Sequence, residues 1–187
     1  MQGKLKKKLY KKQTFVHFMV VRRQAGHCAR GILRVGQNHF FCTLGRTGIS
    51  AFKREGDGAT PLARMRFLRG FCGNFHDFFL RSVLPFRRIR AQDGWCDASG
   101  DANYNRLVRL PYCKSAEKMQ RKDGLYEIVL VLDWNITERK MAKGSAIFIH
   151  LERKNYTPTE GCIALSRRDM ERLLPHINRQ TTIIVSG

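Results

Sequence analysis

The chain has 187 residues, which is enough for one domain with a sizeable core and short for two. Hydrophobic residues make up 43% and aromatic residues 10% of it, a composition that excludes an intrinsically disordered chain. The formal net charge of +20, from 35 Lys+Arg against 15 Asp+Glu, favours a polyanionic partner, and nucleic acid, anionic lipid and carboxylate-bearing peptidoglycan all fit that charge.

The amino-terminal residues 1–13 form a lysine-rich tail in front of an apolar run at 15–21. This arrangement has the outline of a secretory leader, but the run contains His17, stops at Arg22-Arg23 and is followed by no small-residue cleavage site. We therefore interpret the run as a first strand behind a basic tail. No apolar stretch reaches the ~20 residues of a membrane-spanning helix, so no membrane span is expected.

Short apolar runs bounded by turn residues predict a mainly β fold with one or two helices. The runs at 125–132 and 145–151 are apolar almost throughout, which is typical of central strands buried on both faces. A helix is predicted after Ser166, because Asp169 follows at the spacing of a capping box and an apolar stripe continues beyond it. In chain order, the predicted strands are residues 15–21, 29–35, 39–44, 125–132, 145–151 and 181–185, with a loop at 54–61.

Two segments are rich in aromatic residues. Residues 67–90 interleave phenylalanine with arginine, which could bind single-stranded nucleic acid by stacking and charge, although core phenylalanines on strands with solvent-facing arginines are the favoured interpretation. Residues 93–105 are polar but contain Trp95, Tyr104 and Asn105. These three residues are candidates for lining a ligand groove, and a buried tryptophan and a turn asparagine explain them equally well.

The six cysteines show no C-x-x-C pair and no close Cys/His spacing, so neither a metal nor a cofactor is expected. One of them, Cys162, follows Gly161 just before the predicted helix, and His150 ends an apolar strand eleven residues upstream of that pair. Thiol catalysis needs a thiolate, a nearby base and donors for an oxyanion, and these residues could supply them. Spacing alone equally allows two packed core residues. If the two side chains meet, an imidazolium at His150 would lower the pKa of the thiol.

Two stretches resemble the signature of the YkuD-type L,D-transpeptidase family. Residues 144–150 are similar to the family strand that ends in histidine, here His150. Residues 156–166 contain Thr159-Glu160-Gly161-Cys162, similar to the family's Ser/Thr-His-Gly-Cys. Glu160 replaces the second histidine, which marks a divergent branch. Weaker similarity at 45–61 and 94–106 extends the match over most of the chain.

The resemblance implies a β-sandwich catalytic domain over residues 14–187, with the catalytic cysteine in a cleft. It implies that Cys162 is the nucleophile and His150 its base. Gly161 and Thr159 would support the loop and the oxyanion, and Glu160 would lie behind the pair, where it would either orient His150 or offset its charge.

The implied reaction joins Cys162 in a thioester to a tetrapeptide stem, with release of D-Ala, and then transfers the stem to an amine. The products would be cross-links or stems with an exchanged D-amino acid. The implied partners are peptidoglycan stem peptides rather than nucleic acid, and the implied location is the periplasm or cell envelope of a Gram-negative bacterium. Two alternatives remain: a basic nucleic-acid-binding module, and a thiol amidase or peptidase of another class.

Overall fold

A computed structural model describes residues 15–73 and 82–187 of the chain. Within these residues the fold is mainly β with one α-helix, as the sequence predicts. The helix, α1, spans Arg167–Leu173, and three 3-10 turns lie at Leu125–Glu127, Lys154–Tyr156 and Leu174–His176. The strands are β1 Phe18–Arg23, β2 Arg30–Val35, β3 Asn38–Thr43, β4 Ile49–Ser50, β5 Thr60–Pro61, β6 Arg64–Cys72, β7 Phe86–Arg88, β8 Asp93–Cys96, β9 Leu107–Arg109, β10 Ala116–Lys118, β11 Ile128–Leu132, β12 Phe148–Leu151, β13 Ile163–Leu165 and β14 Thr182–Ser186.

The main sheet curls round and closes on itself. Its order is β11-β12-β13-β3-β2-β1-β14-β6-β7, and β6 also pairs antiparallel with β11, which closes the first eight strands of this order into a ring with β7 beside β6. The strand β6 pairs antiparallel with β14. Two parallel strands lie side by side where β12 pairs with β13. Because closure gives each strand of the ring two partners, it removes the exposed edges that an open sheet would leave.

The strands β11 and β12 are buried on both faces, as their apolar sequences predict. Ile128, Leu130 and Leu132 point into the main core inside the ring, together with side chains of α1. Val129 and Val131 point outward into a second, smaller core. A three-stranded sheet with the order β10-β8-β9 lies outside the ring, and its Trp95 packs in that second core. The second layer thus covers the central strands.

The predicted helix start is confirmed. Ser166 is the N-cap of α1, and its Oγ accepts a hydrogen bond from the Asp169 N–H at 3.1 Å. This bond satisfies one of the free N–H groups of the first turn. The buried Met170 and Leu173 hold the helix against the main core.

The two predicted central strands each begin three residues later than expected. The strand predicted at 125–132 begins at Ile128, because residues 125–127 form a 3-10 turn after Gly124, whose φ is +75°. The strand predicted at 145–151 begins at Phe148, because Gly144 and Ala146 have φ values of +91° and +51°, which an extended strand does not allow. The ends of the other predicted strands lie within three residues of the predicted ones.

In the segment rich in Phe and Arg, the described phenylalanines are core residues. Phe67 and Phe71 are buried, whereas Arg66 and Arg69 of the same strand are exposed. Phe86 is half-buried against the main core. The phenylalanines at 75, 78 and 79, like the basic tail at 1–13, lie outside the described residues. No helix in the described part of the chain is both long and apolar enough to cross a bilayer.

Candidate active site

His150 lies on the central strand β12 and is 6% exposed. Its Nδ1 is 2.8 Å from the Leu151 carbonyl oxygen. A carbonyl can only accept, so Nδ1 carries the proton and Nε2 is left as the basic nitrogen. The ring also contacts the edge of Tyr126, with centroids 5.5 Å apart. The backbone and an aromatic neighbour therefore fix both the tautomer and the orientation of the imidazole.

Cys162 immediately precedes β13, the parallel neighbour of β12. His150 is opposite Ala164 in this pairing, which places Cys162 one step back on the same face of the sheet as His150. Diagonal neighbours of this kind have Cα atoms about 7–8 Å apart. Both side chains line one cleft of about 470 Å³. The fold thus brings together the two residues that the sequence singles out.

The thiol and the imidazole are both neutral in this setting. Burial raises the pKa of Cys162 from 9.0 to about 12, and the nearby Glu117 carboxylate adds to the shift. Burial lowers the pKa of His150 from 6.5 to about 4, against the opposing hydrogen bond to Leu151. The expectation of an imidazolium that lowers the pKa of the thiol is therefore wrong for the resting site. The buried pair favours the uncharged forms of both groups.

Backbone groups hold the sulfur from two sides. The Cys162 Sγ donates to the Ala146 carbonyl oxygen at 3.1 Å and accepts from the Phe148 N–H at 3.4 Å. The first bond stabilises the thiol and the second would stabilise a thiolate. The side chain nevertheless keeps part of its surface open to the cleft. The two hydrogen bonds fix the position of the Cys162 side chain, and its sulfur remains accessible from the cleft.

The loop before the cysteine is tightly turned. Thr159 Oγ1 donates to the Cys162 carbonyl oxygen at 2.6 Å and accepts from the Gly161 N–H at 3.2 Å. Gly161 has a φ of +132°, and a Cβ there would lie 2.7 Å from the Ala59 carbonyl oxygen, so only glycine fits. Thr159 and Gly161 both shape the loop that carries Cys162. The N–H of Gly161 is engaged inside this loop.

Glu160 lies at the rim of the cleft with its side chain 77% exposed. Its two carboxylate oxygens are 3.2 and 3.0 Å from Arg46 Nε. The carboxylate thus pairs with an arginine of the loop after β3. This is a different environment from the one behind His150 that the resemblance suggests.

Trp95, Tyr104 and Asn105 lie behind the cleft wall, outside the set of described residues that line it. Trp95 packs edge-on against Phe148, with centroids 5.0 Å apart, and its Nε1 donates to Asn105 Oδ1 at 3.0 Å. Tyr104 is fully buried and donates through its hydroxyl to Glu55, a residue that does line the cleft. All three support the cleft from behind.

Sequence reasoning missed a polar cluster beside His150 in the cleft. Tyr126 donates through its hydroxyl to Glu117 at 2.6 Å, and Arg121 both donates to Glu117 at 3.2 Å and stacks over the Tyr126 ring. Arg153 lines the same cleft. A tyrosine inside an otherwise apolar run was the one available signal, because a buried hydroxyl needs a partner. Its partners come from β10 and the turn after it, and no local pattern marks them.

The described residues contain no group of three or more His, Cys, Asp or Glu side chains that could hold a metal ion. The site contains a partly exposed thiol, a neutral imidazole whose Nε2 is unprotonated, and two arginines that line the cleft. The chemistry of such a set is nucleophilic attack by sulfur with general-base help.

A mainly β domain with a cysteine and a histidine in one cleft is compatible with thiol-dependent acyl transfer or hydrolysis. The model of the YkuD family, the L,D-transpeptidase catalytic domain, matches residues 30–185, and the chain therefore belongs to this family. The family comprises cysteine-dependent transpeptidases that act on peptidoglycan and are typically associated with the cell envelope. A comparison with curated proteins found no match.

Proposed function

We propose that this chain is a peptidoglycan L,D-transpeptidase that uses Cys162 as its nucleophile and His150 as its base. The observation that carries the proposal is their placement on one face of neighbouring parallel strands, in one cleft of a YkuD-family domain. The proposed donor is a tetrapeptide stem, and the proposed location is the periplasm or cell envelope of a Gram-negative bacterium.

In the first step the Cys162 sulfur attacks the carbonyl carbon that links the third stem residue to D-Ala. His150 Nε2 takes the thiol proton as the S–C bond forms, because the resting pair is neutral and the thiolate is not present beforehand. When the C–N bond breaks, the imidazolium returns that proton to the departing D-Ala nitrogen. The stem is left as a thioester on Cys162.

In the second step an amine attacks the thioester, and His150 takes the amine proton and returns it to the departing sulfur. An amine from another stem gives a cross-link, and a free D-amino acid gives an exchanged stem. Water gives a trimmed stem, which is the product that a thiol peptidase would also make. Product analysis on purified peptidoglycan separates these outcomes.

The positive charge supports an anionic substrate of this kind. The cleft is lined by Arg121 and Arg153, and Arg46 lies at its rim beside Glu160. Stem peptides carry free carboxylates, which such cations attract. The whole chain, at +20, would concentrate these polyanionic strands around the cleft.

The test is mass spectrometry of the intact protein after incubation with a disaccharide-tetrapeptide. We expect an adduct that equals the stem minus D-Ala, and we expect the Cys162→Ala variant to form none while keeping the wild-type Tm. A Cys113→Ala variant, which removes an exposed thiol, is the control and should form the adduct normally. Turnover that survives Cys162→Ala would refute the proposal.

A nucleic-acid-binding module is the alternative that the charge alone would allow. This alternative needs exposed aromatic side chains in residues 67–90 on which bases can stack. The described Phe67 and Phe71 are buried in the two cores and do not offer such a surface. Tight, salt-dependent binding of single strands that persists in Cys162→Ala would favour this alternative over the transpeptidase.

A further inference from the structure

Asn105 uses every hydrogen-bonding position of its side-chain amide. Its Oδ1 accepts from the Trp95 indole N–H and from the Ala146 N–H, both at 3.0 Å. Its Nδ2 donates to the carbonyl oxygens of Trp134 and Asn135 at 3.0 and 2.9 Å. The residue is 1% exposed and has a φ of +57°, a conformation that asparagine tolerates better than most residues. It ties the turn after β8 to the loop between β11 and β12.

One of these bonds leads directly to the nucleophile. Ala146, whose N–H is held by Asn105, has a φ of +51°, a conformation that costs a residue with a Cβ free energy. The carbonyl of the same residue accepts the Cys162 thiol proton at 3.1 Å. A single residue with an unfavourable backbone conformation therefore lies between the Asn105 amide and the reacting sulfur.

We propose that Asn105 is a positioning residue for the nucleophile: by holding Ala146, it places the carbonyl group that orients the Cys162 thiol. The inference rests on the proposed role of Cys162 in acyl transfer. Asn105 itself lies behind the cleft and touches neither the sulfur nor the substrate space. Its effect passes through one backbone segment.

The proposal fixes the sign of two effects. A bond from S–H to a carbonyl stabilises the protonated thiol, so releasing the Ala146 carbonyl should lower the pKa of Cys162 and make its sulfur more reactive toward a small alkylating reagent. Releasing the same carbonyl should also free the side chain to rotate, which slows attack on a bound stem. The groups facing Cys162 from the surrounding elements stay in place in such a variant; they are Lys53, Glu117, Arg121, Tyr126 and His150.

The test compares Asn105→Gly with a matched control, Asn135→Gly. Asn135 also has a positive φ, +51°, and its side chain bonds Lys140 and Gly144 in the same loop without reaching Ala146. Glycine suits a positive φ, so neither variant adds backbone strain. Both lose a comparable set of hydrogen bonds, and only one loses the link to the sulfur.

Two rates are measured in each variant. Iodoacetamide alkylation of Cys162 is followed by peptide mass spectrometry across pH 6–11, and adduct formation with a disaccharide-tetrapeptide is followed on the intact protein. For Asn105→Gly we expect alkylation to rise about threefold to tenfold at pH 8, the factor that one hydrogen bond contributes to an equilibrium, and adduct formation to fall by at least that much. Asn135→Gly should keep the wild-type pH profile and adduct rate.

Equal changes of the two rates in both variants would overturn the proposal, and so would an unchanged pH profile of Cys162 alkylation in Asn105→Gly. An asparagine with only a structural role would lower Tm, but it would not raise the alkylation rate while lowering the rate of adduct formation. If Asn105→Gly does not fold, Ala146→Gly provides a second test. If the bond from Asn105 holds residue 146 in place, the added backbone freedom leaves the alkylation profile unchanged, and a shifted profile overturns the proposal. The absence of any adduct in the wild type would instead refute the proposed function, since the alkylation arm needs no activity.

Discussion

The buried neutral imidazole of His150 makes the stability of the fold depend on pH. The folded protein binds a proton at this ring only near pH 4, whereas an unfolded chain binds it near pH 6.5. Because the pKa is lower in the folded state, the stabilisation is complete above pH 6.5 and is lost as the pH falls toward 4. From these two pKa values, His150 should lower the free energy of unfolding by about 2 kcal/mol at pH 5 relative to pH 8.

Urea denaturation at pH 8 and pH 5 measures this loss in the wild type and in His150→Gln, whose side chain does not titrate. We expect the wild type to lose about 2 kcal/mol more than the variant between the two pH values. Other titrating groups contribute equally to both proteins and cancel in the comparison. His39 lies exposed on β3, and His39→Gln is the control that should lose as much as the wild type.

Equal losses in wild type and His150→Gln would refute the reasoning. That result would mean that His150 is charged or well hydrated in the folded protein. The neutral pair on which the order of proton transfers depends would then have to be abandoned, even if Cys162 proved essential.

Three further predictions test the loop, the helix and the charge. Gly161→Ala should cost about 2–4 kcal/mol in urea denaturation, because a Cβ at φ +132° meets the Ala59 carbonyl oxygen, and wild-type stability would contradict the fit described for this loop. Ser166→Ala should cost about 1 kcal/mol, measured in the same way, through loss of the α1 cap, and no loss would mean that the cap is redundant. Raising NaCl from about 50 to 300 mM should weaken sedimentation with sacculi more than it slows adduct formation, and salt-independent binding would show that the +20 charge has another role.

The sequence predicted the β class and the helix cap, because each depends on a pattern within a short segment. The catalytic pairing of Cys162 with His150 stays a prediction. Apolar runs mark strands buried on both faces, and the segment that carries the cysteine has its family's spacing. His150 and Cys162 are also only twelve positions apart, and one parallel strand pair is enough to bring them together.

The protonation states of Cys162 and His150, and the polar cluster around Tyr126, could not be predicted in this way. The neutral pair results from burial, which depends on the second sheet covering β12. Glu117 accepts the Tyr126 hydroxyl from β10, nine positions earlier, across a turn that has no apolar pattern to mark it. The early start predicted for β12 has a similar cause, since the positive φ of Ala146 is stabilised by Asn105, about forty positions away.

The closed ring constrains how a peptide can enter the site. The strand β12 has β11 on one side and β13 on the other, and β13 is in turn flanked by β3, so the backbone edges of the strand that carries His150 and of the strand that follows Cys162 are already paired. A substrate therefore cannot bind here by adding a strand, the mode that many peptide-binding domains use. A substrate would instead be recognised by contacts between its charged groups or ends and the side chains that line the cleft. Pairing with a strand edge requires a chain of uniform chirality. A site without such pairing does not, so it would be compatible with stem peptides that contain both L and D centres.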